Sequence, residues 1–417
     1  MRYVIIGNGA AGNAAAEAIR WHDTQGQITI VSDEPHPAYY RPLLPFLIEE
    51  APEAENLFRD ELHRPPDVEV LLGCRAQAIE VEEKRVLLDD GRQLPYDRLL
   101  IATGARPFRP RIPGLEGPGV FTVRFIDDAK AIAAAASEAK RAVIIGGGRI
   151  GSKCALALRH RGLQVTVVEL LDRIVPLQFD ETAAAIFQDA MEAQGVELIL
   201  GHTERQVLRE DGQVKGVELD DGRRLEADFI LVTTGVRANT ELARGAGLDV
   251  DGGVLVDSQL RTSGPDIYAA GDVVQTVDVV TGEPVVSGIW TNAVAMGHVA
   301  GENMAGGHRE YPGAFGLLNA MELAGVPVIS VGVISPPNEG YEVYATRRDG
   351  TYRKLVFHGD RLVGAIFVGD IEGAGVYTAL IREQADVGPF KEDLTRRGFG
   401  YAHFLRVQSP LTDVYMA

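Results

Sequence analysis

Residues 3–20 read YVIIGNGAAGNAAAEAIR, and the rest of the chain falls into place around them. Tyr3–Ile6 is apolar and β-branched, the pattern of a strand buried on both faces. Gly7, Gly9 and Gly12 follow in G-x-G-x-x-G spacing, and Ala14–Arg20 reads as a helix. Strand, glycine turn and helix in this order form a cradle for a diphosphate. Gly7 permits the tight turn, Gly9 lets backbone approach a pyrophosphate, and Gly12 brings helix and strand close. Ala10 and Ala11 complete the turn. The helix N-terminus adds unpaired N–H groups and the positive end of its dipole. A glycine turn can also be plain packing, so the motif needs support elsewhere in the chain.

That support comes from a repeat. Ile28–Val31 reads as a second strand ending in Ser32-Asp33-Glu34. Asp33 lies 33 − 7 = 26 positions after the first glycine, roughly where a dinucleotide fold places an acid on a ribose hydroxyl. Further on, Ala142–Ile145 leads into Gly146-Gly147-Gly148-Arg149-Ile150-Gly151. Gln164–Val168 follows as a strand, and Glu169 lies 169 − 146 = 23 positions after Gly146. Two cradles, each with an acid at the expected distance, predict two dinucleotide sites. Arg98–Ala102 ends in Thr103-Gly104, and Asp228–Val232 ends in Thr233-Thr234-Gly235, so the halves echo each other beyond the glycines.

The bulk numbers agree with an ordinary globular protein. The chain has 417 residues, 46% hydrophobic and 24% charged, enough for about two to four domains. A net charge of −18 argues against nucleic acid or an anionic membrane surface as the main partner. No apolar run approaches the roughly 20 residues of a membrane span. A strand starting at residue 3 leaves no room for a signal peptide. Cys74 and Cys154 form no C-x-x-C and no zinc spacing, and the nine histidines are scattered, so no metal site is assigned. A reducing, cytoplasmic setting is expected.

The remaining chain sorts into connections and sheets. Residues 35–66 and 105–119 are rich in proline and read as irregular crossings. Strands are expected at 68–72, 78–82, 85–88, 198–200, 206–209 and 214–219. Ile267–Ala270 is a buried strand ending in Gly271-Asp272, and a helix is expected from Asn292 to Met304. From about residue 310 the strands alternate (326–333, 341–346, 352–358, 361–368), which suggests an antiparallel domain, with a helix at 374–383. The fold class is therefore α/β, with two Rossmann-like domains and an α+β C-terminal domain. The expected division is a first dinucleotide-binding domain of 1–110 with 237–309, a second of 111–236, and 310–417 as a C-terminal interface or dimerisation domain.

The set GNGAAG with Asp33, LLIATGARP, VIIGGGRIG with Glu169, ILVTTGVRAN and IYAAGDVV resembles the two-dinucleotide-binding-domain flavoproteins of the pyridine nucleotide–disulfide oxidoreductase superfamily. EPHPAYYRPLLP and YRKLVFHGDRLVGAIFVGDIEGAG narrow the resemblance. They are similar to rubredoxin and ferredoxin reductases, the flavin part of nitrite reductases, and FAD/NAD subunits of larger redox complexes such as carbon monoxide dehydrogenase and tungsten aldehyde oxidoreductase systems. The resemblance implies FAD in the first cradle, held by Gly7, Gly9, Ala10, Ala11, Gly12, Asp33 and Glu34. It places Arg41 and Pro42 beside the flavin, with Thr103, Gly104, Gly271, Asp272 and Trp290 also near FAD. It implies NAD(H) on Gly146, Gly148, Arg149, Ile150, Gly151, Glu169 and Gly235. Glu169 would accept adenosine ribose hydroxyls and repel a 2′-phosphate, which favours NAD(H) over NADP(H). Arg173, close by, could instead serve a phosphate.

The chain departs from the disulfide reductases at the flavin. After Tyr40-Arg41-Pro42 comes Leu43-Leu44-Pro45-Phe46, with no sulfur, and no C-terminal His-Glu pair is evident. Hydride exchange between nicotinamide C4 and flavin N5 then needs only stacked rings, roughly 3–3.5 Å apart, and no general base. Lys153 stands where many relatives have an acid; facing the flavin it would raise the potential, and otherwise it meets a carboxylate or solvent. Trp290 is either flavin rim or core. The pairs Arg347-Arg348, Arg353-Lys354 and Arg396-Arg397 are either solvated surface or a docking patch for an acidic iron–sulfur protein. Phe399, Tyr401, Phe404 and Tyr415 either form a partner surface or fold back. Three functions fit: an NAD-linked electron-transfer flavoprotein serving an iron–sulfur protein or subunit, a stand-alone NADH oxidase or quinone reductase, and a flavin-bearing assembly subunit. Homo-oligomers and hetero-complexes both remain open.

Overall fold

The computed structural model describes residues 1–58, 65, 67–348, 350–396 and 398–400. Contacts divide the chain into two compact units. The first holds Met1–Pro110, Thr122–Ala133 and Thr234–Gly316; the second holds Arg111–Phe121, Ala134–Thr233 and the chain from Leu317 onward.

The first unit is built on a parallel sheet in the order Ile267–Ala269, Arg98–Ile101, Arg2–Ile6, Gln27–Val31, Glu69–Leu71. Its central strand is buried from Tyr3 to Ile6, as a strand covered on both faces requires. The helix Ala10–His22 follows it, capped at its N-terminus by Gly9. This helix begins four residues before the expected Ala14, because Ala10 and Ala11 already belong to its first turn. Its alanines have a packing reason. They lie against the helix Trp290–Met304, where a Cβ on Gly297 would stand 2.3 Å from the Ala11 carbonyl oxygen and one on Gly301 2.4 Å from that of Ala15. Small residues on both helices let the backbones touch. A separate antiparallel sheet of Ala76–Glu80, Arg85–Leu88 and Gln93–Pro95 lies in the same unit.

The second unit repeats the first motif. Val196–Leu200, Gln164–Glu169, Arg141–Ile145 and Phe229–Val232 run parallel in that order. The repeat is close at the level of single bonds. Gly7 N–H donates to the Val31 carbonyl at 2.8 Å, and Gly146 N–H to that of Val168 at 2.8 Å. Ala102 N–H donates to Ile6 and Thr233 N–H to Ile145, both at 2.8 Å. A three-stranded antiparallel sheet covers residues within 204–226.

The same unit contains a five-stranded antiparallel sheet in the order Leu318–Leu323, Val326–Gly332, Arg361–Val368, Thr351–His358, Glu342–Arg348. Leu318–Leu323 is absent from the sequence reading, since its burial alternates too irregularly to betray a strand. The helix Ala374–Arg382 accompanies this sheet, and Phe399 folds back, ring-stacked on Phe390 and edge-on to Tyr377. Tyr401, Phe404 and Tyr415 lie outside the described residues. Asp180, the N-cap of the helix Glu181–Ala193, ties the sheet to the dinucleotide part of the unit. It accepts from Ala183 N–H at 3.0 Å, Tyr352 hydroxyl at 2.6 Å and Lys354 Nζ at 2.9 Å.

Candidate functional site

The glycines of both cradles separate into two kinds. Gly7 has φ +124°, and a Cβ there would meet the Ala102 carbonyl oxygen at 2.1 Å; one on Gly12 would meet the Gly7 oxygen at 2.0 Å. In the second cradle, a Cβ on Gly146 or Gly151 would strike Thr233 oxygen at 2.8 Å or Gly146 oxygen at 2.0 Å. These four are glycine because the protein itself leaves no room. Gly9 and Gly148 differ: a Cβ on either meets no protein atom within 4 Å. Their backbones are extended, at φ −93° and −69°, and open to any residue. Nothing inside the protein asks for glycine at these two positions, whereas a diphosphate laid on the turn does. Neither following helix has a side-chain N-cap, and an N-terminus of this kind is suited to a phosphate. The cradles therefore fit dinucleotides.

Around the first cradle, two acids, Asp33 and Glu34, follow the second strand. Val31 and Val168 occupy equivalent places, so the partner of Glu169 is Ser32, and Asp33 stands exposed one residue beyond. The held carboxylate is Glu34, which accepts from Tyr39 hydroxyl at 2.6 Å and from Arg41 Nη2 at 2.6 Å. Arg41 also donates to the Arg124 carbonyl at 2.9 Å and stacks on Tyr39 and Phe125, while Pro42 is exposed. Asp272 is not bare. Arg124 Nη2 donates to its Oδ2 at 2.8 Å, with side-chain exposures of 20% and 15%. Arg124 passes 3.7 Å from the Cβ position of Gly104, and its Nε is buried without a partner.

Arg124 escaped the sequence reading, and its signal was only a basic residue in the short VRFIDD stretch. Asn239 escaped too. Its Nδ2 donates to the Thr103 carbonyl at 2.8 Å and its carbonyl accepts from Thr103 Oγ1 at 2.9 Å. This joins two short paired strands, Ala105–Pro107 and Val236–Ala238. Gly271 sits at φ +84°, where a Cβ would press on Ala11 Cβ at 3.0 Å. Trp290 opens the Trp290–Met304 helix and lies tilted against Tyr40, centroids 5.1 Å apart. The helix thus starts at Trp290 itself, earlier than Asn292.

In the second cradle, Glu169 ends its strand and is 8% exposed. Its Oε2 accepts from Gly147 N–H at 2.7 Å and its Oε1 from Leu171 N–H at 2.9 Å. These bonds fix the carboxylate beside the turn with a lone pair on each oxygen to spare, as ribose hydroxyls require. Arg173 is engaged elsewhere, by Asp172 at 2.7 Å. Arg149 opens the helix, Ile150 is 41% exposed, and Gly235 has φ +101° with open space at its Cβ. Burial and the charge of Glu169 push the Glu204 carboxyl up to about 7.

The remaining candidates resolve individually. Burial lowers the Lys153 pKa, and the charge of Glu322 acts against that shift. Burial pushes the Cys154 thiol up to about 12, so it is no thiolate at neutral pH. Cys74 accepts from Arg92 Nη2 at 2.8 Å. Arg353 donates to Tyr377, Leu394 and Arg396, and Lys354 to Asp180, so this pair is structural rather than a docking surface. Arg396 pairs with Asp393; Arg397 lies outside the described residues. His202, Asp220 and Asp221 cluster at the surface, with Asp221 already held by Arg223.

Residues 1–297 match the family Pyridine nucleotide-disulphide oxidoreductase, and residues 318–385 the Rubredoxin NAD+ reductase C-terminal domain. The chain is 34% identical over 400 residues to the epsilon subunit of NADH-dependent phenylglyoxylate dehydrogenase from Aromatoleum evansii, covering 94% of this chain and 93% of that one. It is 36% identical over 271 residues to the ferredoxin–NAD(+) reductase component of the biphenyl dioxygenase system of Paraburkholderia xenovorans, covering 64% and 66%. The solved NAD-dependent persulfide reductase from A. fulgidus superposes with a TM-score of 0.86 at 29% identity, over 94% of this chain and 79% of that one. The chain spans about half the length, 47% and 45%, of the nitrite reductases it matches in Bacillus subtilis and Escherichia coli. With both cradles in place and the match running across them, the chain belongs to the pyridine nucleotide-disulphide oxidoreductase family.

Proposed function

We propose that the chain carries electrons between NAD(H) and an iron–sulfur protein or subunit by way of bound FAD, without a redox disulfide. FAD, when bound, supplies the exchange between a two-electron donor and single-electron acceptors. The chain's own residues bind and orient. Gly9 and the uncapped N-terminus of the Ala10–His22 helix receive the FAD diphosphate. Glu34, fixed by Tyr39 and Arg41, stands beside the adenosine end. Arg124 neutralises Asp272, so that an acid can sit in a site meant for an anionic cofactor. Thr103 and Asn239 hold the turn at Gly104. On the second cradle, Gly148 and the N-terminus at Arg149 receive the NAD(H) diphosphate, and Glu169 takes the ribose hydroxyls. A fixed anion there disfavours a 2′-phosphate, so NADH is the expected donor.

The observation that carries the reading is that Gly9 and Gly148 are glycine with nothing of the protein above them. The relatives named for ferredoxin and rubredoxin reduction support the iron–sulfur acceptor. The domains proposed are 1–110 with 237–309 for FAD, 111–236 for NAD(H) and 310–417 as the C-terminal domain. No helix among the described residues is long and apolar enough to cross a membrane. The cytoplasm is the compartment proposed, where NAD(H) is at hand and unpaired thiols stay reduced. The test is NADH turnover by the FAD-loaded protein, with and without an added iron–sulfur protein copurified from the native cell. Fast turnover requiring that protein supports the reading. Equal turnover with oxygen or quinone alone gives it to a small-acceptor oxidase, and none with any acceptor to an assembly subunit.

A further inference from the structure

The second cradle carries more acid than its fold needs. Leu200 ends the strand Val196–Leu200 directly beside Glu169 in the parallel register. The chain then turns back over that strand end. Gly201 N–H donates to the Leu171 carbonyl at 2.9 Å, and His202 N–H to that of Glu169 at 3.2 Å. Glu204, two residues on, opens the antiparallel strand Glu204–Glu210. Glu169 and Glu204 therefore share one corner at the carboxyl end of the parallel sheet, the end at which open α/β sheets bind ligands.

The two acids are held differently. Glu169 accepts from two backbone N–H groups, whereas Glu204 is half-buried and forms no ion pair among the described residues. The cations beside it in the chain are taken: Arg205 by Glu218 at 3.6 Å and His202 by Asp220 at 2.9 Å. Burial first, then the charges of Glu169 and Asp220, push the Glu204 carboxyl up to about 7, against hydrogen bonds from its own N–H and from Thr203. A half-buried acid without a cation costs stability, and an apolar side chain opening the strand would not. The fold leaves Glu204 unexplained, as it leaves Gly9 and Gly148, and a ligand at Glu169 explains it.

We infer that Glu204 is a second specificity-determining acid of the second cradle, set beside the adenosine ribose that Glu169 holds, given NAD(H) there as proposed above. Around neutral pH it passes from a neutral carboxyl to a second anion. That anion costs little to a ribose bearing hydroxyls. It repels a 2′-phosphate and adds to the repulsion by Glu169. Discrimination between NADH and NADPH therefore sharpens as pH rises. Histidines change charge over the same range, and Glu204→Gln, which leaves His202, Asp220 and Asp221 in place, isolates the carboxyl.

The test is kcat/KM for NADH and for NADPH, with ferricyanide as acceptor, on the FAD-loaded full chain and its Glu204→Gln variant at about pH 5.5 and pH 8.5. The ratio of the two constants cancels pH effects on flavin and acceptor. The 2′-phosphate gains its own second charge at roughly pH 6, so the preference for NADH rises in both proteins. At the upper pH the wild-type preference is expected to exceed that of the variant at least about threefold, and at the lower pH the two agree within about twofold. Equal preferences in the two proteins at both pH values overturn the inference and leave the NAD(H) reading standing. So does a loss of preference that is the same at both, since that is a packing effect and not a charge. A flavin that neither nucleotide reduces overturns the proposed function, and this inference with it.

Discussion

At the scale of single residues, the cradle glycines are not equivalent, and the difference can be measured. Gly9→Ala adds a methyl group that meets no protein atom. Apo-protein stability should change by no more than about 1 kcal/mol, the size of an N-cap effect. FAD affinity should fall at least tenfold, about 1.4 kcal/mol. Gly12→Ala drives a methyl into the Gly7 carbonyl and should destabilise the apo-protein by about 1–3 kcal/mol. Flavin titration and thermal unfolding separate the two. Glu204 offers a test by pH. Burial, then the Glu169 charge, raises its folded pKa from 4.5 to about 7. The folded state therefore keeps a proton that the unfolded chain releases near 4.5. Stability on this account is greatest below pH 4.5, falls as pH rises towards 7, and stays reduced above it. Glu204→Gln should stabilise the protein at pH 8 by about 1–3 kcal/mol, after screening, and change little at pH 4.5.

At the scale of elements, the Ala10–His22 helix holds the first cradle only as well as its neighbour lets it. Gly301 meets the Ala15 backbone so closely that a methyl group must push the helices apart. Gly301→Ala is expected to cost about 1–3 kcal/mol in chemical denaturation and to lower FAD content on purification. The sequence reading caught the strand–glycine–helix units because burial on both faces and three glycines leave few alternatives. Glu169 closes the strand Gln164–Glu169, the position that the spacing from Gly146 gives. The sequence reading named both Asp33 and Glu34; Asp33 is exposed, and Glu34 is the acid that Tyr39 and Arg41 reach. Arg124 and Asn239 could not be seen, since their roles arise from contacts across 148 and 136 positions of chain. Lys354 read as a surface cation, yet a tertiary contact buries it on Asp180.

At the scale of the molecule, two cradles of one design serve two dinucleotides, and the sulfurs take no part. Cys154 is buried in the helix that follows the second cradle, and Cys74 is tied to Arg92 in the first unit. The central claim is electron flow from NADH to flavin without either thiol. The most direct measurement is anaerobic mixing of NADH with FAD-loaded protein, followed at the visible flavin band, in wild type and in the Cys74→Ser/Cys154→Ala variant. The account predicts a yellow protein that bleaches on NADH at closely similar rates in both. A protein that stays colourless after incubation with FAD, or a variant that binds FAD and no longer bleaches, would contradict it.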